Sequence, residues 1–250
     1  MPKIPLFDCF FDTEDEAALS CRIADKAAKR ERCFVVTPNA TILHSARHDG
    51  DFCRLLSSAD ITVPDGVGVV WALRLLKTPL PHGKIAGVSL GEAVARELAA
   101  RGLSLYLFGG REGVAQGAAE ALLRRNPALK VAGCRSGFDF SPDRIANEIK
   151  TSAPDLVFCC LGSPLQERIG KTLSETLSLP VLCLGGSLDV YAGRVKRAPA
   201  VFRALSLEWL WRMLVEPKRF LKIGALFGFS FDVISLKKRK RACNPPKKRI

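Results

Sequence analysis

Short runs of β-branched and aromatic residues alternate along this chain with longer stretches of helical periodicity. The runs at 33–36, 61–63, 103–108, 130–132, 155–161 and 180–184 predict strands. Between them, helical spacing predicts helices over 41–47, 67–76, 90–100, 114–125, 143–151 and 165–177. Strands separated by helices give an α/β fold: a Rossmann-like, mostly parallel sheet with helices on both faces. Ligands in such sheets bind beyond the carboxyl ends of the strands. The residues that follow the predicted strands are Thr37-Pro38-Asn39, Pro64-Asp65-Gly66, Gly109-Gly110, Gly162-Ser163-Pro164-Leu165-Gln166-Glu167 and Gly185-Gly186-Ser187-Leu188-Asp189. They are small, turn-forming or hydrogen-bonding, and the topology gathers them on one rim.

The pattern changes after Gly193. Leu207, Leu210, Trp211 and Leu214 keep helical spacing, Pro217 interrupts it, and an apolar run over 223–234 leads into Lys237-Lys238-Arg239-Lys240-Arg241. An apolar stretch too short to span a bilayer and flanked by cations reads as an interfacial segment; a helix docked on the body with a solvated tail is the alternative. We therefore divide the chain into a catalytic domain, 1–193, and a small helical basic appendage and tail, 194–250.

Charge sharpens that division. The formal net charge is +13, yet residues 1–193 hold 22 basic and 22 acidic side chains, against 16 basic and 3 acidic in 194–250. A concentrated basic end calls for an anionic partner. Near an acidic membrane each Lys or Arg contributes roughly 1 kcal/mol, so residues 218–250 suit such a surface. Trp209 and Trp211 among the cations also suit nucleic acid, but their apolar helical pattern points to packing, and nucleic acid is the weaker reading. Nine cysteines without a Cys-x-x-Cys motif suit buried, reduced thiols. The N-terminus lacks signal-peptide character, so the expected location is cytoplasmic.

Several constellations could carry chemistry. Gly109-Gly110-x-x-Gly113 after a strand would let backbone N–H groups approach phosphate oxygens, or could be a structural turn. Asp65 between a strand and a helix could cap the helix, or serve as a general base that takes a proton from an attacking hydroxyl. Thr37 and Asn39 could bond a substrate, or cap a helix. His44 and His48 lack the Glu of a zinc-protease motif, and Asp49-Gly50-Asp51 reads as a turn after a helix, so no metal is expected at either. A nicotinamide enzyme would need a third glycine at the Rossmann spacing, which is absent after Gly109-Gly110.

These segments resemble the WecG/TagA/CpsF glycosyltransferase family (family 26) from about Pro5 through Ile223. The resemblance rests on Thr37-Pro38-Asn39, Pro64-Asp65-Gly66-Val67-Gly68, Phe108-Gly109-Gly110, Leu161-Gly162-Ser163-Pro164-Leu165-Gln166-Glu167, Ala192-Gly193-Arg194-Val195-Lys196-Arg197-Ala198-Pro199 and Glu216-Pro217-Lys218-Arg219. It implies inverting transfer, with no metal or other cofactor, of an N-acetylhexosamine-type sugar, N-acetylmannosamine or its uronate, from UDP. Glucose or glucuronate would be alternative donor sugars. The acceptor implied is a polyprenyl-diphosphate-linked sugar at the inner membrane face. Carried over, Asp65 would be the base, with Thr37 beside it in the catalytic site. Asn39, Lys84, Gly109, Gly110, Gly162, Gln166, Glu167, Gly185, Gly186 and Asp189 would bind the donor or shape its pocket. Arg194, Lys196, Arg197, Arg212 and Arg219 would face the acceptor and the departing diphosphate. Lys84 and Ser89 stand where the family usually has Arg and Asp. A homo-oligomer and a non-enzymatic binding module both stay open at this point.

Overall fold

The computed structural model describes residues 3–199, 201–202, 207–215 and 223–243. The chain opens with an antiparallel hairpin of β1 (Lys3–Leu6) and β2 (Cys9–Asp12), in which Lys3 faces Asp12 and Leu6 faces Cys9. Helix α1 (Glu16–Ala28) follows. The main sheet is built from β3 (Cys33–Val36), β4 (Ile61–Thr62), β5 (Ser104–Gly109), β6 (Lys130–Arg135), β7 (Leu156–Cys160) and β8 (Pro180–Cys183). Their order is β4-β3-β8-β7-β5-β6, with every neighbouring pair parallel. The connections carry α2 (Ala40–His48), α3 (Gly50–Ser57), α4 (Val67–Leu75), α5 (Gly87–Ala100), α6 (Val114–Arg125), α7 (Pro142–Ser152) and α8 (Leu165–Leu177). After β8 come α9 (Ser187–Tyr191), α10 (Glu208–Val215) and α11 (Ile223–Cys243). The Rossmann-like sheet expected from the alternation of elements is present.

Parallel strands covered on both faces read as continuous apolar runs, and β3, β7 and β8 are buried at every position. Alternate residues feed two cores. Val35, Leu107, Phe158 and Leu182 pack with α1, α5, α6 and α9 on one face. Phe34, Phe108, Val157 and Val181 pack with α2, α3, α4, α7, α8 and α11 on the other. The chain therefore leaves β5 through α6 toward the first face, and leaves β7 through α8 toward the second. Such a divergence between adjacent strands opens a crevice at their carboxyl ends, where open α/β sheets take their ligands.

The C-terminal elements are fastened to this body. Lys84 Nζ donates to Glu208 Oε2 on α10 at 2.9 Å. Arg197 donates to Ser89 Oγ at 2.8 Å and to Glu92 Oε2 at 3.2 Å, both on α5. Helix α11 buries Phe229 and Val233 in the second core, a gain of roughly 1.5–3 kcal/mol for each side chain. Phe227, Phe231 and Ile234 on the same helix stay exposed. The apolar 223–234 run is thus docked on the body along one side, as the docked-helix alternative held, and open to solvent along another. No helix among the described residues is long and apolar enough to cross a membrane.

Candidate active site

Backbone and side-chain bonds join the carboxyl ends of all six strands into a continuous rim. At the β4 end, the Asp65 amide donates to Pro38 O at 3.4 Å, and the Ile85 amide donates to Pro64 O at 2.9 Å. Thr37 Oγ1 donates to Cys183 O at 2.9 Å, tying β3 to β8. The Gly185 amide donates to Gln166 Oε1 at 2.9 Å, tying β8 to the loop after β7. Gly110 N donates to Cys160 O at 3.2 Å, and Gly137 N to Gly110 O at 2.8 Å, which completes the path to β6. Asp65, Thr37, Asn39, Gly109, Gly110, Gly162, Gln166, Glu167, Gly185 and Gly186 all sit on or directly behind this rim.

Local geometry separates the alternatives for several of these residues. Asn39 caps α2, its Oδ1 accepting from Thr41 N at 3.1 Å and Ile42 N at 3.2 Å. The N-cap position of α4 is Gly66, at φ +86°. Asp65 is half-buried beside Thr37-Pro38-Asn39. Helices α4, α5, α6 and α8 all start without a side-chain cap at the rim, whereas α1, α3 and α7 are capped by Asp15, Asp49 and Ser141. The uncapped N–H groups and their partial positive charge favour an anion there.

Gln166 and Glu167 are both buried. Gln166 Nε2 donates to Glu167 Oε1 at 2.8 Å while its Oε1 holds the Gly185 amide. Glu167 Oε2 is buried without a hydrogen-bond partner. Burial pushes the Glu167 carboxyl above the ordinary range, with hydrogen bonds from Gln166 and Ser163 pulling the other way. A raised folded-state value means that the native protein keeps a proton the unfolded chain has already released. Stability from this group is therefore full below the ordinary glutamate value and falls as pH rises through the folded one. Denaturant unfolding between about pH 4 and pH 8 should show the wild type losing stability relative to Glu167→Gln; parallel profiles would argue for an ionised carboxylate.

The remaining expected residues lie around the rim or outside the described set. Lys84 is spent on Glu208 and Arg197 on Ser89 and Glu92, so both fasten the C-terminal elements. Arg194 and Lys196 are exposed. The Arg194 and Val195 amides donate to Asp189 O at 2.9 and 3.0 Å, placing this turn beside Asp189. The side chain of Arg212, and all of Arg219, fall outside the described residues. Cys9, Cys21, Cys33, Cys53, Cys134, Cys159, Cys160 and Cys183 are free thiols, and five of them are buried. Burial pushes the Cys9 and Cys33 thiols up to about 12, which keeps them protonated and inert.

One feature of the rim was not read from the sequence. Beyond β6 lies a cavity of about 300 Å³ lined by Glu112, Cys134, Arg135, Ser136, Phe138, Asp139 and Glu148. Its wall is ordered by Arg135 Nη1 donating to Glu148 Oε2 at 3.0 Å and Tyr106 Oη donating to Glu148 Oε1 at 2.6 Å. Phe138 is 61% exposed. An exposed phenyl beside a strand end was the available signal.

The model of the glycosyl transferase WecG/TagA/CpsF family matches residues 4–243. The chain belongs to this family. Among its curated relatives, proteins from Bacillus spizizenii strain W23, Bacillus subtilis strain 168 and Staphylococcus aureus strain NCTC 8325 each bear the name N-acetylglucosaminyldiphosphoundecaprenol N-acetyl-beta-D-mannosaminyltransferase. The first is 31% identical over 238 residues, covering 95% of this chain and 91% of the relative. The second is 31% identical over 212 residues, 84% and 82% of the two chains. The third is 32% identical over 207 residues, 82% and 81%. A WecG/TagA/CpsF glycosyltransferase is thus built on the Rossmann-like sheet described above, with the Thr37-Pro38-Asn39 and Pro64-Asp65-Gly66 turns on its rim.

Proposed function

We propose that the protein transfers N-acetylmannosamine from UDP to a polyprenyl-diphosphate-linked N-acetylglucosamine, with inversion and without a metal, at the inner face of the membrane. The acceptor hydroxyl attacks the sugar C1, the C1–O bond to the diphosphate breaks, and the hydroxyl proton passes to the Asp65 carboxylate. UDP leaves with the bonding electron pair. The observation that carries this reading is the position of Asp65: a half-buried carboxylate at the β4 strand end, whose backbone amide ties it to the Thr37-Pro38-Asn39 turn. The uncapped starts of α4, α5, α6 and α8 suit a diphosphate, supplying fixed dipoles where charge develops. The names of the relatives support the sugar and the acceptor. The exposed apolar positions of α11 and the basic residues of 218–250 support a membrane surface as the place of encounter.

The reaction itself is tested by UDP release from a panel of UDP-sugars in the presence of EDTA, with a short-chain polyprenyl-diphosphate-GlcNAc acceptor. Acceptor-dependent release from UDP-N-acetylmannosamine is expected. Release from a different donor alone would replace the sugar, and release only after adding a divalent ion would overturn metal independence.

A further inference from the structure

We propose that His44, His48 and Asp232 form a binding site for a divalent transition-metal ion of the zinc class, which clasps α11 to α2. The site lies at the contact between α2 and α11, and the proposal does not depend on the reaction proposed above.

Two pairs of residues, each four apart, build it. His44 and His48 lie one turn apart on the same side of α2, their rings 4.6 Å between centroids and edge to face. Gly228 and Asp232 are likewise one turn apart on α11. A Cβ at Gly228 would fall 2.3 Å from His44 Cε1, so the absent side chain lets the ring lie directly on the α11 backbone. One turn later, Asp232 Oδ2 is 2.8 Å from His44 Nδ1 and 4.0 Å from His48 Nε2. One donor atom from each of the three residues lies within 4.8 Å of the others. Tetrahedral coordination with bonds of about 2.0–2.2 Å places ligand atoms roughly 3.3–3.5 Å apart, between the two observed separations. His44 and Asp232 are held by packing, with side chains 21% and 14% exposed, whereas that of His48 is 64% exposed and is free to turn inward.

The donor chemistry selects the ion. Two imidazoles and one carboxylate suit zinc, cobalt or nickel and do not suit magnesium or calcium, which take oxygen ligands. On binding, the metal takes the place of the proton shared between His44 Nδ1 and Asp232, and water completes the fourth position on the solvent side. A simple ion pair would need only one histidine; the second, aimed at the same carboxylate oxygen, has a role once a metal is present. Local sequence spacing showed only the two histidines. The third ligand arrives 184 positions after His48, through the docking of α11.

Cobalt(II) titration of the reduced full-length protein tests the site, because cobalt reports its ligands spectroscopically. One equivalent should bind with the visible bands of a four-coordinate nitrogen and oxygen site and without a thiolate charge-transfer band. His48→Ala leaves the His44–Asp232 bond in place, so it should fold as the wild type does and bind cobalt at least ~10-fold more weakly. Asp232→Asn should weaken binding similarly. Zinc should raise the melting temperature of the wild type and not that of His48→Ala. Equal cobalt binding by wild type and His48→Ala, a thiolate band, or no binding would each overturn the assignment.

Discussion

Asp65→Ala should lower turnover at least ~10²-fold and leave the fold in place. The expectation for activity follows from the loss of the only proton acceptor proposed for the attacking hydroxyl. The expectation for folding follows from position. Asp65 belongs to neither hydrophobic core and is half-buried at the rim, so truncating it opens no cavity in the body. Asp65→Asn sharpens the test, since it keeps the size and polarity of the side chain and removes the basic oxygen. Both variants should bind UDP with near wild-type affinity and show wild-type melting curves, while steady-state UDP release collapses. Turnover within a few-fold of wild type in either variant would move the base to another residue.

The largest effect on stability is expected at Gly109. Its φ is +136°, a conformation L side chains rarely adopt, and a Cβ there would fall 2.2 Å from Cys160 O and 2.5 Å from Cys160 C. These are backbone atoms of the neighbouring strand, so no rotamer change relieves the contact and β5 and β7 must separate. Gly109→Ala should therefore cost roughly 3 kcal/mol or more, read as a lower urea midpoint. Gly113 provides the comparison: its φ is +74° with nothing within 4 Å of an added Cβ. Gly113→Ala carries conformational strain alone, about 1–2 kcal/mol. Equal losses in the two variants would show that strand contact at Gly109 is relieved more easily than the geometry indicates. The close approach also explains Gly109, which serves the contact between β5 and β7 at the crevice, while Gly110, at φ +70°, leaves room for Val114 at the start of α6.

Much of the sheet was visible in the sequence because fully buried parallel strands leave uninterrupted apolar runs. Cys33–Val36 was read with its observed limits, and so were the helices Val114–Arg125 and Leu165–Leu177. The hairpin at the start was hidden for a specific reason. Pro5 sits inside β1, where it removes a backbone donor, and such a residue argues against a strand unless the strand lies at an edge. Helix α1 is faint because much of its buried face is small, with Ala24 and Ala27 beside Leu19 and Ile23. Helix α3 follows Asp49-Gly50, which by itself reads as a turn; in the structure Asp49 Oδ1 accepts from Phe52 N at 2.9 Å and caps a new helix. Of the candidate site, the strand-end residues were legible because topology alone places them. The pairings were not. Lys84 with Glu208 and Arg197 with Ser89 join positions more than a hundred residues apart, and charge type and spacing carry no record of such partners.

The strand order carries a further consequence. Asp65 follows β4 at one edge of the sheet and the Phe138 cavity follows β6 at the other, five strand spacings away, or about 24 Å. A molecule held at both ends must lie across the strands, and each strand end meets a different portion of it. The sheet then works as a ruler on which chemical identity is read by position. Substitutions in the turns after β3 and β4 would retune one end of the molecule without disturbing the grip on the other. Selectivity for two halves of a ligand could thus diverge independently on an unchanged scaffold.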